Sequence, residues 1–98
     1  MPFAVRIVNY QHSRMLNICD SNLVGKILKE SELTLNINRS YFAERVVEEN
    51  EAEDLLRKSS VINMVGKETI ALSLKIGIGS SKGVKKIDGI PFLLVFKF

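Results

Sequence analysis

The segment that most constrains this fold is VINMV, the nearly continuous apolar run Val61–Val65. It is short and stands between two segments with helical patterns, as a strand in the interior of a sheet does. The whole chain has 98 residues, of which 46% are hydrophobic and 26% are charged. These are ordinary globular values and leave room for one core. We therefore expect a single domain over residues 1–98 with this run as an interior strand.

Further strand patterns precede this run. Ala4–Tyr10 is rich in β-branched residues, and Met15–Cys19 follows it after a polar turn at Gln11–Arg14. This arrangement predicts an N-terminal β-hairpin. Leu33–Ile37 alternates apolar and polar residues, which predicts a half-buried strand. The segment around Arg45–Val47 is ambiguous, and these three residues could form a short edge strand.

The chain ends on a second predicted hairpin. Val84–Ile87 and Phe92–Phe98 flank an Asp88-Gly89 turn signal. One face of the last strand carries an apolar row, formed by Phe92, Leu94, Phe96 and Phe98. Such a row is more often core than surface. We therefore expect this strand to be docked, because an exposed one would invite edge pairing.

Two main helices are predicted. Asn50–Lys58 begins with Asn50 as its N-cap and Glu53 three residues later, and acids in its first turn and bases in its last suit the helix dipole. Glu68–Ile76 forms the second helix, with Gly77 just beyond its end.

A short turn is expected near the N-terminal hairpin, capped by Asp20 or Ser21 and ending at Gly25. Taken together, the patterns predict an α+β fold. It is a compact domain with an N-terminal β-hairpin, a mixed sheet with two main helices and a C-terminal β-hairpin.

The composition excludes several classes of site. Cys19 is the single cysteine and His12 the single histidine, so neither an intrachain disulfide nor a clustered metal site is expected. No catalytic residue and no cofactor is predicted. No apolar run approaches the ~18 residues of a membrane span. We expect a cytoplasmic protein that makes no use of a membrane.

One turn has the features of an anion site. Val65-Gly66-Lys67-Glu68-Thr69 leads from a strand into a helix, where free N–H groups, a glycine and a lysine together suit a phosphate. The candidate residues are Gly66, Lys67 and Thr69. A plain strand-to-helix turn with an acid in the first helical turn is the alternative, since Glu68 competes for the same N–H groups.

A second candidate site is a lysine cluster. Lys82, Lys85 and Lys86 lie close together in sequence, with Lys97 expected near them on the last strand. The net charge of +3 is mild, so a solvated lysine loop is the simpler explanation. RNA contact would be helped by aromatic side chains on the same surface. The last strand could supply these only if its aromatic row is exposed.

The chain resembles a small archaeal family catalogued as domain of unknown function 424. The resemblance rests on SVINMVGKETIALSLKIG and VKKIDGIPF, with ICDSNLVGK and LTLNINRSYFAERVV in the same order. It implies a cytosolic one-domain α+β protein with no established activity and a role beside the translation machinery. One departure is Phe92, because family members often carry a histidine just after the Gly89-Ile90-Pro91 turn. If that histidine were catalytic or metal-binding, this chain would lack the activity.

From these observations we expect a non-enzymatic module that binds RNA or a ribosomal or translation-factor partner. The alternative is a small enzyme or a phosphate- or nucleotide-binding domain that uses the Gly66-Lys67 turn. A third possibility is a structural subunit whose C-terminal strand pairs with a copy of itself. The expected state is a monomer or a weak homodimer.

Overall fold

A computed structural model describes residues 2–97 of the chain. Within these residues, the strands β1–β8 span Phe3–Tyr10, Ser13–Asp20, Ile27–Glu30, Leu33–Asn36, Arg45–Val47, Val61–Val65, Lys85–Ile87 and Ile90–Phe96. The helices α1–α3 span Arg39–Phe42, Glu49–Lys58 and Lys67–Lys75. The predicted α+β class is confirmed, with both predicted hairpins and both main helices present.

Six of the strands form one mixed sheet in the order β5-β1-β2-β6-β8-β7. Neighbouring strands are antiparallel except for β2 and β6, which are parallel. The predicted interior strand Val61–Val65 is confirmed as β6, with hydrogen-bonded partners on both sides. Arg45–Val47 forms an edge strand beside β1. The predicted docking of the last strand is also confirmed, since β8 lies between β6 and β7.

One face of the sheet is covered by α2 and α3. Strand alternation turns every second side chain toward this face. The resulting cluster includes Phe3, Val5, Leu16, Ile18, Ile62, Met64, Leu55, Leu56 and Ile70, all buried. We call this side of the sheet the helix face.

The opposite face is covered only in part. A separate two-stranded sheet, β3–β4, and the short helix α1 cover one end of it. The buried residues there are Ala4, Cys19, Leu23, Leu28, Ile37, Phe42, Val65 and Ile87. This cover leaves the remainder of the face to solvent, a feature that positions the candidate site described below.

The small β3–β4 sheet is where sequence patterns performed least well. The sequence of Ile27–Glu30 lacks the alternation of apolar and polar residues that predicts a strand. In the structure, three of its four residues are exposed. Leu33 was expected to be half-buried and is exposed. Neither strand belongs to the main sheet, so the pairing that stabilises them is with each other.

The helix boundaries differ slightly from the expected ones. Helix α2 begins at Glu49 with Glu48 as its N-cap, so the predicted cap at Asn50 is wrong. Ion pairs at the i,i+4 spacing join Glu53 to Arg57 and Asp54 to Lys58, at 3.7 and 3.0 Å.

At the end of α3, Gly77 has φ +82° and its N–H donates to the Leu74 carbonyl. Gly77 thus lies just beyond the C-cap Ile76, as predicted, although α3 starts and ends one residue earlier than expected.

The thiol of Cys19 gives the first testable prediction. Burial, with a smaller contribution from the adjacent Asp20 carboxylate, raises the pKa of Cys19 to about 12 from 9.0. The folded state therefore keeps the thiol protonated after the unfolded chain has begun to ionise. This stabilisation is complete below about pH 9, and about 1.4 kcal/mol is lost per pH unit between about pH 9 and 12.

Urea unfolding of the wild type and of Cys19→Ala across this alkaline range tests the effect. The free energy of unfolding of the wild type should fall more steeply with pH than that of the variant. Other alkaline titrations are common to both proteins and cancel in the comparison. Parallel curves would contradict the prediction.

Candidate functional site

The turn between β6 and α3 is closed by the side chain of Asp20. Its Oδ1 accepts hydrogen bonds from the Thr69 backbone N–H at 2.8 Å and from Thr69 Oγ1 at 2.7 Å. Its Oδ2 accepts from the Glu68 N–H at 3.2 Å. Asp20 is buried at the end of β2. The carboxylate therefore satisfies N–H groups at the positive end of the α3 dipole.

This contact corrects the expected role of Asp20. We expected Asp20 or Ser21 to cap the short turn that follows it. The 3-10 turn Ser21–Leu23 is present, but the Asp20 side chain makes no capping hydrogen bond to it. The parallel pairing of β2 with β6 places the end of β2 beside the start of α3. That arrangement makes the distant helix the better partner for the carboxylate.

Gly66 is required by the same carboxylate. A Cβ atom at this position would lie 2.4 Å from Asp20 Cγ, and the backbone φ of +112° is one that other residues rarely adopt. The internal contact thus accounts for the glycine. Of the candidate anion-site residues Gly66, Lys67 and Thr69, the first and third are engaged with Asp20. Lys67 is exposed at the first position of α3.

The lysine cluster is split between surfaces. Lys82 lies exposed in the 3-10 turn Ser81–Gly83. Lys85 and Lys86 are both exposed on β7, where their pairing with Phe92 and Pro91 places them on opposite faces of the sheet. Lys85 shares the face that lies opposite α2 and α3, whereas Lys86 lies on the helix face.

Lys97 does not join this cluster, contrary to expectation. Its ammonium donates to the carbonyl oxygens of Leu56 and Arg57 at the end of α2, at 2.6 and 3.1 Å. Burial, and then the nearby Arg57, lower the pKa of Lys97. Lys85 pairs with Phe92, and Lys97 lies five residues further along the chain. Five residues of a strand span about 16 Å.

Two cross-strand rows lie on this face of the sheet beside the cover, and we call them the open face; Asn17 is buried within them, beneath α1. The apolar row is Val8, Met15, Val61 and Phe96. The polar row is Arg6, Asn17, Asn63 and Leu94. Within each row the side chains project from neighbouring strands on the same side of the sheet.

The apolar side chains of the open face are more exposed than the sequence suggested. The side chains of Phe96 and Leu94 are 57% and 51% exposed, and Met15 is 39% exposed. Phe92, Leu94 and Phe96 share one face as predicted, but the expectation that they form core is wrong for the last two. Phe98 lies outside the described residues. The small β3–β4 sheet reaches only as far as the end of the face that holds Phe92.

Asn17 lies at the centre of the polar row. Its Nδ2 donates to the Tyr41 carbonyl at 3.0 Å, which sets the orientation of the amide, since a carbonyl needs a donor. Its Oδ1 is buried and accepts no hydrogen bond from any residue that the structure describes. Asn17 as a whole is 7% exposed. A buried acceptor without a donor is costly.

The charges on the open face are one-sided. Arg6 is the charged residue of the two rows, and none of the eight positions holds a carboxylate. Tyr41, in α1, lies beside the polar row through its contact with Asn17 and is exposed. The face therefore combines a cation, side-chain amides and exposed rings. Sequence patterns could assign the shared face of β8, but they carry no signal for the role of Asn17.

Other kinds of site find no support in residues 2–97. No group of three or more histidine, cysteine, aspartate or glutamate side chains in this range could hold a metal ion. None of the helices in the same range has the length and apolar character to cross a membrane.

The fold and the open face define a small α+β protein whose sheet is covered fully on one side and partly on the other. The chain belongs to the family described as protein of unknown function DUF424, whose model matches residues 8–98. A comparison with curated proteins finds no match.

Among solved structures, the crystal structure of an uncharacterized conserved protein from Methanopyrus kandleri is similar. The TM-score is 0.80 at 17% sequence identity, with 100% of this chain and 95% of that chain covered. At this identity the likeness shows the fold alone.

The Asp20 contact gives the second testable prediction. Asp20→Asn keeps the size of the side chain but removes the charge that the α3 N–H groups and Thr69 Oγ1 bind. We expect the free energy of unfolding to fall by about 2 kcal/mol. Asp88→Asn makes the same change at an exposed turn residue and should stay within about 0.5 kcal/mol of the wild type. Equal effects in urea unfolding would show that Asp20 makes no special contribution.

Proposed function

We propose that this protein is a non-enzymatic, cytoplasmic module that binds single-stranded RNA across the open face. The observation that carries the proposal is the combination, on this one face, of exposed rings, side-chain amides and a guanidinium, with no carboxylate in the two rows. Exocyclic amino groups of nucleobases can donate to the side-chain oxygen of Asn63, which is exposed in the polar row. Sheet surfaces with exposed aromatic side chains are a common platform for unstacked bases.

The two rows supply complementary contacts. The exposed ring of Phe96 offers a surface on which a base can stack. Asn63, beside Asn17, offers a second amide to base edges. Arg6 follows in the same row and suits a phosphate or a base. Stacking and hydrogen bonding would thus act side by side on one strand of RNA.

The charge of the face favours RNA over a protein partner. An exposed apolar row by itself also suits protein association. Here the apolar row borders a polar row with a guanidinium and no carboxylate, and Lys85 lies at the sheet edge on the same side. A polyanion gains from that arrangement, whereas an apolar protein surface would have to bury two amides and a charge.

The Gly66-Lys67 turn contributes less to this proposal than the sequence suggested. Its Glu68 and Thr69 N–H groups are already bound to Asp20, which weakens the alternative of a phosphate- or nucleotide-binding domain or enzyme at this turn. Lys67 and Lys82 stay as candidate contacts to the RNA backbone. The resemblance to the family adds the proposal that the RNA belongs to translation or ribosome maturation.

Lys85 and Lys86 provide the third testable prediction, since they differ in little but the face they occupy. Lys85→Glu should weaken the binding of a fluorescent single-stranded RNA and flatten its salt dependence, because counterion release scales with phosphate contacts. Lys86→Glu has the same change in net charge but lies on the helix face. We expect it to have the smaller effect in anisotropy titrations at low salt. Equal losses would indicate only nonspecific attraction to positive charge.

Phe96 provides the fourth testable prediction. Removal of one stacking ring costs about 1–3 kcal/mol, so Phe96→Ala should weaken RNA binding roughly 5- to 150-fold. Leu33→Ala is the matched control, because Leu33 is equally exposed, at 58% against 57%. Leu33 lies next to the β3–β4 turn. This turn is held near the β7–β8 turn, because Glu30 accepts a hydrogen bond from the Asp88 N–H. The β7–β8 turn is at the end of β8 away from Phe96. The Leu33→Ala variant should retain wild-type affinity.

Recovery of the tagged protein from a gentle lysate, with and without nuclease, separates the two partner classes. Nuclease-sensitive recovery of ribosomal proteins would support RNA binding. If a single protein is retained after nuclease and the purified chain binds no RNA at low salt, the open face is a protein interface and the proposal is wrong.

A further inference from the structure

A second surface feature lies where the β1–β2 turn meets the C-terminal end of α2. It is an open pocket of about 500 Å³. Among the described residues it is lined by Asn9, His12, Ser13, Arg14, Lys58 and Ser60. None of these residues belongs to the open face or to the Gly66-Lys67 turn. No sequence motif pointed to them, because they come from three separate segments.

The lining is made of hydrogen-bond donors. It combines one guanidinium, one ammonium, an imidazole, two hydroxyls and an amide, and none of the six residues is a carboxylate. The Lys58 ammonium forms an ion pair with the Asp54 carboxylate at 3.0 Å, but both side chains are more than half exposed. Such surface pairs contribute little, so the ammonium can turn toward a ligand at small cost. The lining therefore favours an anion.

The frame of the pocket is held by the backbone. The Ser60 N–H donates to the Arg14 carbonyl at 2.8 Å, and the Lys97 N–H donates to the Ser60 carbonyl at 2.8 Å. The free carbonyls at the end of α2 would oppose an anion. The Lys97 ammonium binds two of them, from Leu56 and Arg57. That contact offsets the negative end of the helix dipole next to the pocket.

His12 lies in the tight turn of the N-terminal hairpin. Gln11 and His12 form the two-residue turn of the hairpin with φ values of +46° and +69°. A turn with two positive φ values favours Asn-Gly or Gly-Gly, which adopt this conformation with less strain. This chain places a glutamine and a histidine there. Left-handed backbone also occurs at the turn residues Ser31 and Asp88, so His12 is assigned to the site by its place in the lining.

We propose that this pocket binds a phosphate monoester, with Arg14 and Lys58 as its charged ligands and His12 as a further donor. Bidentate contact with a guanidinium and a point contact with an ammonium are common ways to hold a phosphate. A volume of about 500 Å³ also leaves room for the organic group that bears it. The site does not depend on RNA binding by the open face.

The test is a titration of the full chain with three probes, followed by two-dimensional NMR. The probes are ribose 5-phosphate and a short RNA with either a 5′-phosphate or a 5′-hydroxyl group. Saturable shifts of Arg14, Lys58 and Ser60 with ribose 5-phosphate would assign the site to a small metabolite. Shifts of these residues with the phosphorylated RNA only would assign it to an RNA end. No probe shifting them, or both RNAs shifting them equally without ribose 5-phosphate doing so, would overturn the proposal.

Two neighbouring residues of α2 provide the matched variants. Lys58 and Arg57 are similarly exposed and each forms an i,i+4 ion pair, but Lys58 alone lines the pocket. We expect Lys58→Gln and Arg14→Gln each to weaken binding of the preferred probe about tenfold. Arg57→Gln should change it less than twofold. Equal weakening by Lys58→Gln and Arg57→Gln would overturn the proposal.

His12→Gly separates function from folding. Glycine suits the positive φ at this position, so the variant should melt at the same temperature as the wild type or higher. The preferred probe should nevertheless bind several-fold more weakly, because a donor has been lost. Wild-type affinity in this variant would overturn the assignment of His12 to the site.

Discussion

The hydrogen bonds that the Asp20 carboxylate accepts from the start of α3 are the interaction on which the architecture depends. They join the end of β2 to the helix that follows β6, and so fix the one parallel pair of the sheet at the point where the chain crosses over. Three donors on one buried carboxylate require close approach of the backbone. Gly66, without a Cβ, permits it. The same contact removes the N–H groups that an external phosphate would have needed at this turn.

The unequal covering of the sheet has a simple physical origin. Helices α2 and α3 are long enough to cover the helix face, whereas the four-residue strands β3 and β4 and the single turn of α1 cover only one end of the other. The cross-strand rows beyond that cover hold exposed apolar side chains and a buried amide without a full set of partners. Both features are unfavourable in an isolated domain. The exposed side chains gain if a partner with rings occupies the face.

The basic side chains of the two proposed binding surfaces do not form a single cluster. Arg6 and Lys85 belong to the side of the open face, while Arg14 and Lys58 line the pocket at the β1–β2 turn. Lys97 serves a structural role between them, since it binds carbonyl oxygens at the end of α2. The mild net charge of +3 therefore conceals a pair of rows and a pocket lining that contain no carboxylate among their described residues. Each is suited to phosphate, one as part of a polymer and the other as a monoester.

The sequence by itself determined the elements whose periodicity is strong: both hairpins, β6, and the two main helices with the ion pairs of α2. Alternation also determined that Phe92, Leu94 and Phe96 share a face. Local patterns do not contain the pairing of β2 with β6, so Asp20 was assigned to the nearest turn instead of to α3. Local patterns also do not predict how far β3 and β4 extend over the sheet. Phe96 is exposed because they do not extend over it. The open face and the pocket were decided by tertiary structure, because each is assembled from segments that only folding brings together.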